Sequence, residues 1–170
     1  MKFYLSSFFV LLVLLCPAFG QEKPVAYVGA KIIPIVGQPI ENGVLIIQNG
    51  KIIAVGSASS VQVPAGALRI EKNGKVIMPG LVDTHSHIGE GSGADGSAPI
   101  QPDVRLLDGI NSRAASFQRA QSGGITTVNV MPGSGHLDSG QTLYLKLRDG
   151  ARTIDDLLIF DKNGKYMGGI

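Results

Sequence analysis

Residues 25–78 carry short β-branched apolar runs separated by turn residues, and none of these runs has helical spacing. "VAYVGAKIIPI" reads as a strand with a break at Gly29 and an end near Pro34. "VLIIQNGKIIAVG" gives the sharpest local signal. Two β-branched runs flank Asn49-Gly50, a pair that accepts positive φ at both turn positions and so predicts a tight hairpin. "LRIEKNGKVIMPG" repeats the arrangement around Asn73-Gly74 and predicts a second strand pair. The segment is expected to form a small meander of strands.

The pattern changes at Pro79. "GLVDTH" reads as a short apolar strand, and "IGEGSGADGSAPIQPD" as a long loop rich in glycine and proline. From Asp103 onward Val104, Leu107, Ile110, Ala114, Phe117 and Ala120 recur every three or four residues. That spacing predicts one amphipathic helix, capped by Asp103 and ended by Gly123-Gly124. "ITTVNVM" follows as a β-rich run stopped by Pro132. Strand, loop, helix and strand in that order make a βαβ unit, with parallel strands in a buried sheet. "QTLYLKLR" alternates and predicts a further strand, while "TIDDLLIF" fits a helical turn or a strand. "DKNGKYMGGI" reads as a loop without a terminal element.

Composition narrows the class. The 170 residues are 44% hydrophobic and 16% charged, which fits a globular chain and neither a disordered segment nor a coiled coil. A formal charge of +2 with scattered Lys and Arg provides no basic stripe, so no nucleic-acid partner is expected. Near the start, Lys2 precedes the apolar run Phe8 to Cys16, which is shorter than the roughly 20 residues of a membrane span. Ala18 and Gly20 then supply small residues for a peptidase. Residues 1–20 therefore read as a signal peptide, with cleavage before Gln21, export to the periplasm or outside the cell, and no stable membrane span afterwards. A membrane anchor is the rival reading; a lipid anchor on Cys16 is disfavoured by the bulky Leu14 and Leu15 before it. Cys16 is the only cysteine, so the mature chain must be held by its core or by metal rather than by disulfides.

The chemistry concentrates in "MPGLVDTHSH", which holds two of the three histidines. Residues i and i+2 of a strand share a face, so His85 and His87 are expected to project together, with Ser86 turned away. Two imidazoles at the C-terminal end of a strand can ligate one divalent metal. Asp83 has the same parity and is expected to orient a ligand imidazole from one step deeper. The bland alternative is a pair of ordinary polar residues at a strand exit.

"GKIIAVG", "GKVIMPGLVDTHSH" and "GGITTV", in that order, resemble the N-terminal part of the amidohydrolase superfamily, with imidazolonepropionase-like members nearest. The resemblance covers most of residues 25–150. It implies an α/β fold: a small β-sandwich over residues 21–79, followed over 80–170 by the first strands and helices of a metal-dependent (β/α)8 TIM barrel. It implies that His85 and His87 are metal ligands of the first barrel strand. The implied cofactor is a divalent metal, zinc as one or two ions, that activates water to attack a carbon–nitrogen bond other than a peptide bond. The implied partner is a small amide or cyclic amide, and a homo-oligomer stays open. The later family ligands (a Lys or Glu, two further His and a catalytic Asp) have no match here, so no catalytic residue is assigned. The residues after Pro79 also fall far short of the roughly 250 of such a barrel. The chain is therefore expected to be a truncated enzyme, inactive alone, with its barrel open at a sheet edge.

Rival functions remain. One is a non-catalytic remnant or binding module that keeps the β-domain; another, within the class, is a dipeptidase-like hydrolase. "GSGADG" matches a dinucleotide fingerprint in letters only, because Pro99 and Pro102 prevent the helix it must open. His136 in "GSGHLDSG" is a candidate for a substrate loop, against a solvated loop histidine. Ser134 and Ser139 lack a nucleophile elbow. Asp155 and Asp156 are expected to be solvated, and Arg105, Arg113 and Arg119 to line the polar side of the helix. Intact-mass analysis of the exported protein is expected to show a chain beginning at Gln21; a mature protein that retains residues 1–20 would overturn the signal-peptide reading.

Overall fold

A computed structural model of the chain describes residues 22–90 and 96–169. The signal-peptide stretch 1–20 and all but Gly96 of "GSGADG" lie outside the described residues. The chain divides into two compact units, Met1–Pro79 and Gly80–Ile170. No helix among the described residues is long and apolar enough to cross a membrane.

The first unit is one mixed sheet of β1 (Val25–Ile32), β2 (Ile40–Gln48), β3 (Lys51–Ser57), β4 (Leu68–Glu71) and β5 (Val76–Ile77). The order is β3-β2-β1-β4, with β5 also on β1. The predicted hairpin forms between β2 and β3, with Asn49 at φ 51° and Gly50 at φ 70°. Alternation buries Ala26, Val28, Val44 and Ile46 on one face, against Ala54, Val61, Val63 and Ala67.

The second predicted hairpin does not form. β4 and β5 do not pair with each other; both run parallel to β1. Main-chain bonds capture the connection, with Lys72 N donating to Val28 O and Lys31 N to Lys75 O. At the crossing the Asn73 side chain occupies the place where a Cβ on Gly29 would lie. Gly29, at φ 82°, is thus an internal residue of β1 where the register slips, and the strand does not break there.

The second unit holds β6 (Leu81–Ser86), the helix α1 (Ala115–Ser122), β7 (Ile125–Val130), β8 (Thr142–Lys146) and β9 (Gly168–Gly169). β6 and β7 are parallel, as the βαβ reading requires. β8, the strand expected from "QTLYLKLR", forms and returns antiparallel to β7. β9 pairs with β8 and corrects the expectation of a loop without a terminal element. "TIDDLLIF" is neither helix nor strand: it bends, and Leu158 bridges to Leu145. Asp155 and Asp156 are exposed as expected. Asp156 Oδ2 nonetheless accepts bonds from Arg152 N, Thr153 N and Thr153 Oγ1, each 2.9 Å. The backbone bonds from Arg152 and then Thr153 hold its carboxyl below the usual carboxylate range.

The long helix predicted from Asp103 resolves into a 3-10 turn, Leu106–Asp108, and the shorter α1. Asp103 caps neither; the N-cap of α1 is Ala114, without a side-chain cap bond. Two interactions hold the intervening residues out of helical geometry. Asn111 N donates to Gly89 O, and Asn111 Oδ1 accepts from Arg113 N at 3.0 Å, an Asx turn. The apolar spacing still finds a core: Leu107, Ile110 and Ala120 pack against buried Ala114, Phe117, Val128, Val130, Leu143 and Leu145.

Gly29→Ala is expected to cost about 2–4 kcal/mol, because it combines a left-handed φ with overlap on Asn73. Gly50→Ala, with no neighbour within 4 Å of the added methyl, is expected to cost about 1 kcal/mol. Urea denaturation of both variants checks this, and equal losses would refute the crossing contact.

Candidate metal centre at the end of strand β6

β6 carries both histidines to its C-terminal end, where the strand stops at Ser86. Their rings lie edge to face, with centroids 5.2 Å apart and planes at 86°. Both side chains are exposed, while Ser86 between them is buried at 5% exposure. The structure therefore brings His85 and His87 together and turns Ser86 inward.

A carbonyl fixes the outer ring. His87 Nδ1 lies 2.9 Å from Met131 O. A carbonyl oxygen only accepts, so Nδ1 carries the proton and Nε2 keeps its lone pair. Met131 N in turn donates to Ser86 O at 2.9 Å, so one residue at the end of β7 holds both the backbone and the ring. No local pattern announces this contact, which spans 44 residues. Its one trace in the sequence is Pro132, which lacks an N–H and ends the β7 run.

Asp83 does not orient an imidazole. Its Oδ1 accepts the backbone N–H of His85 at 3.1 Å. Asp83 pairs with Val128 and Ser86 with Val130, so one extra residue is accommodated between them. The bulge shifts the strand phase and places Asp83 on the face of Ser86, away from the two histidines.

His136 is half-buried and packs at Gly96, 3.7 Å from where a Cβ would sit. It belongs to a loop pairing in which Leu137 N and Asp138 N donate to Pro99 O and Gln101 N donates to Asp138 O. Sequence reasoning passed over Asn129, which lies 7% exposed on β7. Its Nδ2 donates to Thr84 O at 3.4 Å, and its Oδ1 has no partner among the described residues.

The donor set suits a divalent cation. His85 and His87, with their rings side by side, would be the residues to hold it here. No third His, Cys, Asp or Glu among the described residues completes a group with them.

No family model matches the chain. It is 39% identical over 61 residues to a 5-methylthioadenosine/S-adenosylhomocysteine deaminase of Symbiobacterium thermophilum, covering 35% of the chain and 14% of that protein. It is 29% identical over 126 residues to the imidazolonepropionase of Alkaliphilus metalliredigens, covering 71% of the chain and 26% of the relative. Among solved structures, an amidohydrolase from Thermotoga maritima superposes on 81% of the chain with a TM-score of 0.67 and 30% identity. The chain spans 37% of that protein. The order of the sequence motifs, the parallel β6–β7 pair and these relatives agree in a likeness to part of an amidohydrolase.

Proposed function

We propose that the protein carrying this chain is a metal-dependent hydrolase of non-peptide carbon–nitrogen bonds, with His85 and His87 among its metal ligands. The paired imidazoles at the C-terminal end of a parallel strand carry this reading. Relatives named as a deaminase, an imidazolonepropionase and a dihydroorotase support carbon–nitrogen chemistry on small molecules, with a cyclic amide as the substrate class. The β6–α1–β7 unit is read as the start of a (β/α)8 barrel, a fold that carries its sites at the C-terminal ends of its strands. Export through residues 1–20 belongs to the same proposal.

A divalent cation, zinc as one or two ions, would supply a Lewis acid at this place. The chain's own residues supply orientation. His87 keeps its Nε2 lone pair available because its Nδ1 proton is committed to Met131 O. Asp83 ties down the backbone N–H of His85, and buried Ser86 anchors the peptide between the two rings. A catalytic zinc takes three or more protein ligands. With no third candidate among the described residues, the remaining donors and the base come from outside them.

Long-range proton–nitrogen spectra of the histidines are expected to show His87 as the Nδ1–H tautomer; an Nε2–H tautomer would remove the orienting bond. Zinc added to the same sample is expected to shift the ring signals of His85 and His87 together and leave those of His136 in place. Equal movement of all three, or of none, contradicts a ligand pair. Ring-opening of cyclic amides by the natively produced protein is expected to fall on the order of 100-fold or more in His87→Ala, and turnover that survives the change refutes the proposed function.

A further inference from the structure

A cavity of about 280 Å³ opens between α1, the loop that follows β8, and Leu157. Its floor is apolar, with buried Phe117, Leu147 and Leu157 all part of the core. That core lies on the helix side of the sheet with Val130, the partner of Ser86. His85 and His87 project from the opposite face.

Three arginines, Arg113, Arg148 and Arg152, line the rim. Two are tethered to backbone carbonyls. Arg148 Nη1 donates to Asp156 O at 2.7 Å and to Leu158 O at 3.4 Å. Arg113 Nε donates to Arg152 O at 3.4 Å. A guanidinium has five N–H donors, so each tether leaves most of them unused. The Arg152 side chain has no hydrogen bond among the described residues. Its backbone is pinned by Asp156, which receives Arg152 N at 2.9 Å.

None of the three forms an ion pair among the described residues, whose pairs are Lys31–Glu41, Arg69–Glu71 and Arg105–Asp108. Asp149 is the one carboxylate in the lining. Asp156 stands beside the lining, receiving Arg152 N and attracted by Arg148, so with Asp149 and Asp156 counted the three arginines leave one positive charge in excess. Guanidinium forks match phosphate oxygens in pairs, and three forks can engage a phosphate's three terminal oxygens where a carboxylate offers two.

We propose that this cleft binds the phosphate monoester of a small molecule. The phosphate, with a charge of about −1.5 to −2 at pH 7, takes the free guanidinium donors of Arg113, Arg148 and Arg152. The organic body lies on Phe117, Leu147 and Leu157. The site is independent of the proposed hydrolytic centre and stands or falls separately from it.

The test titrates the full chain with phenyl phosphate, inorganic phosphate and benzoate, following the arginine Nε–H signals by NMR. Phenyl phosphate is expected to saturate and to move the signals of Arg113, Arg148 and Arg152. It is expected to bind about fivefold or more tightly than inorganic phosphate or benzoate, through the apolar floor and the third acceptor oxygen respectively. Arg113→Gln with Arg152→Gln is expected to weaken it about tenfold or more. Arg105→Gln, outside the cleft, is expected to change nothing. Arg152→Gln alone, which disturbs no tether, serves as the second variant and is expected to weaken binding in the same direction. Absence of saturation, equal affinity for the three probes, or unchanged binding in the arginine variants overturns the proposal.

Discussion

The arrangement at the end of β6 depends on one carbonyl. Met131 uses its N–H to extend the β6–β7 ladder and its C=O to hold the ring of His87. The same residue therefore sets the register of the parallel pair and the tautomer of an imidazole. The bulge below it completes the arrangement: by absorbing one residue between Asp83 and Ser86, β6 keeps Ser86 inward while both histidines face out. A histidine pair on a strand end needs no loop to shape it, only a correctly phased strand and a neighbour that fixes one ring.

Local chemistry was legible in the sequence where it alone decides the structure. Asn49-Gly50 needs no distant partner to turn a hairpin, and β2–β3 form as read. Asn73-Gly74 carries the same letters, but β1 offers a free edge to both flanking strands, and tertiary pairing overrides the turn. The helical stripe after Asp103 identified the residues that fill the core, but the Asx turn at Asn111 confines the regular helix to its last eight residues. The orientation of β8 was hidden because an alternating run reads the same in either direction.

The candidate site divides along the same line. Strand parity placed His85 and His87 together because they are neighbours in sequence. Parity misplaced Asp83 because a bulge is a property of the pairing and leaves no mark in one strand alone. Met131 was invisible since its role is played by a backbone group that every residue has. Of the arginines around the cleft only Arg113 was singled out, as part of the polar side of the helix: it precedes α1, while Arg148 and Arg152 follow β8, and only the packing of those elements gathers them.

The separation of His87 from Met131 couples the histidine pair to the folding of a long excursion. Their bond closes a loop of 44 residues that contains the 3-10 turn and all of α1. The entropy of that closure grows only slowly with length, by about 0.6 kcal/mol for each doubling, but it must be offset by the contacts the excursion makes with the sheet. Phe117 and Leu106 supply these on the far side from the imidazoles. A local opening that lifts α1 from the sheet would therefore release the ring of His87 without touching any group near it, and the order of the two histidines is on loan from a hydrophobic contact on the other face.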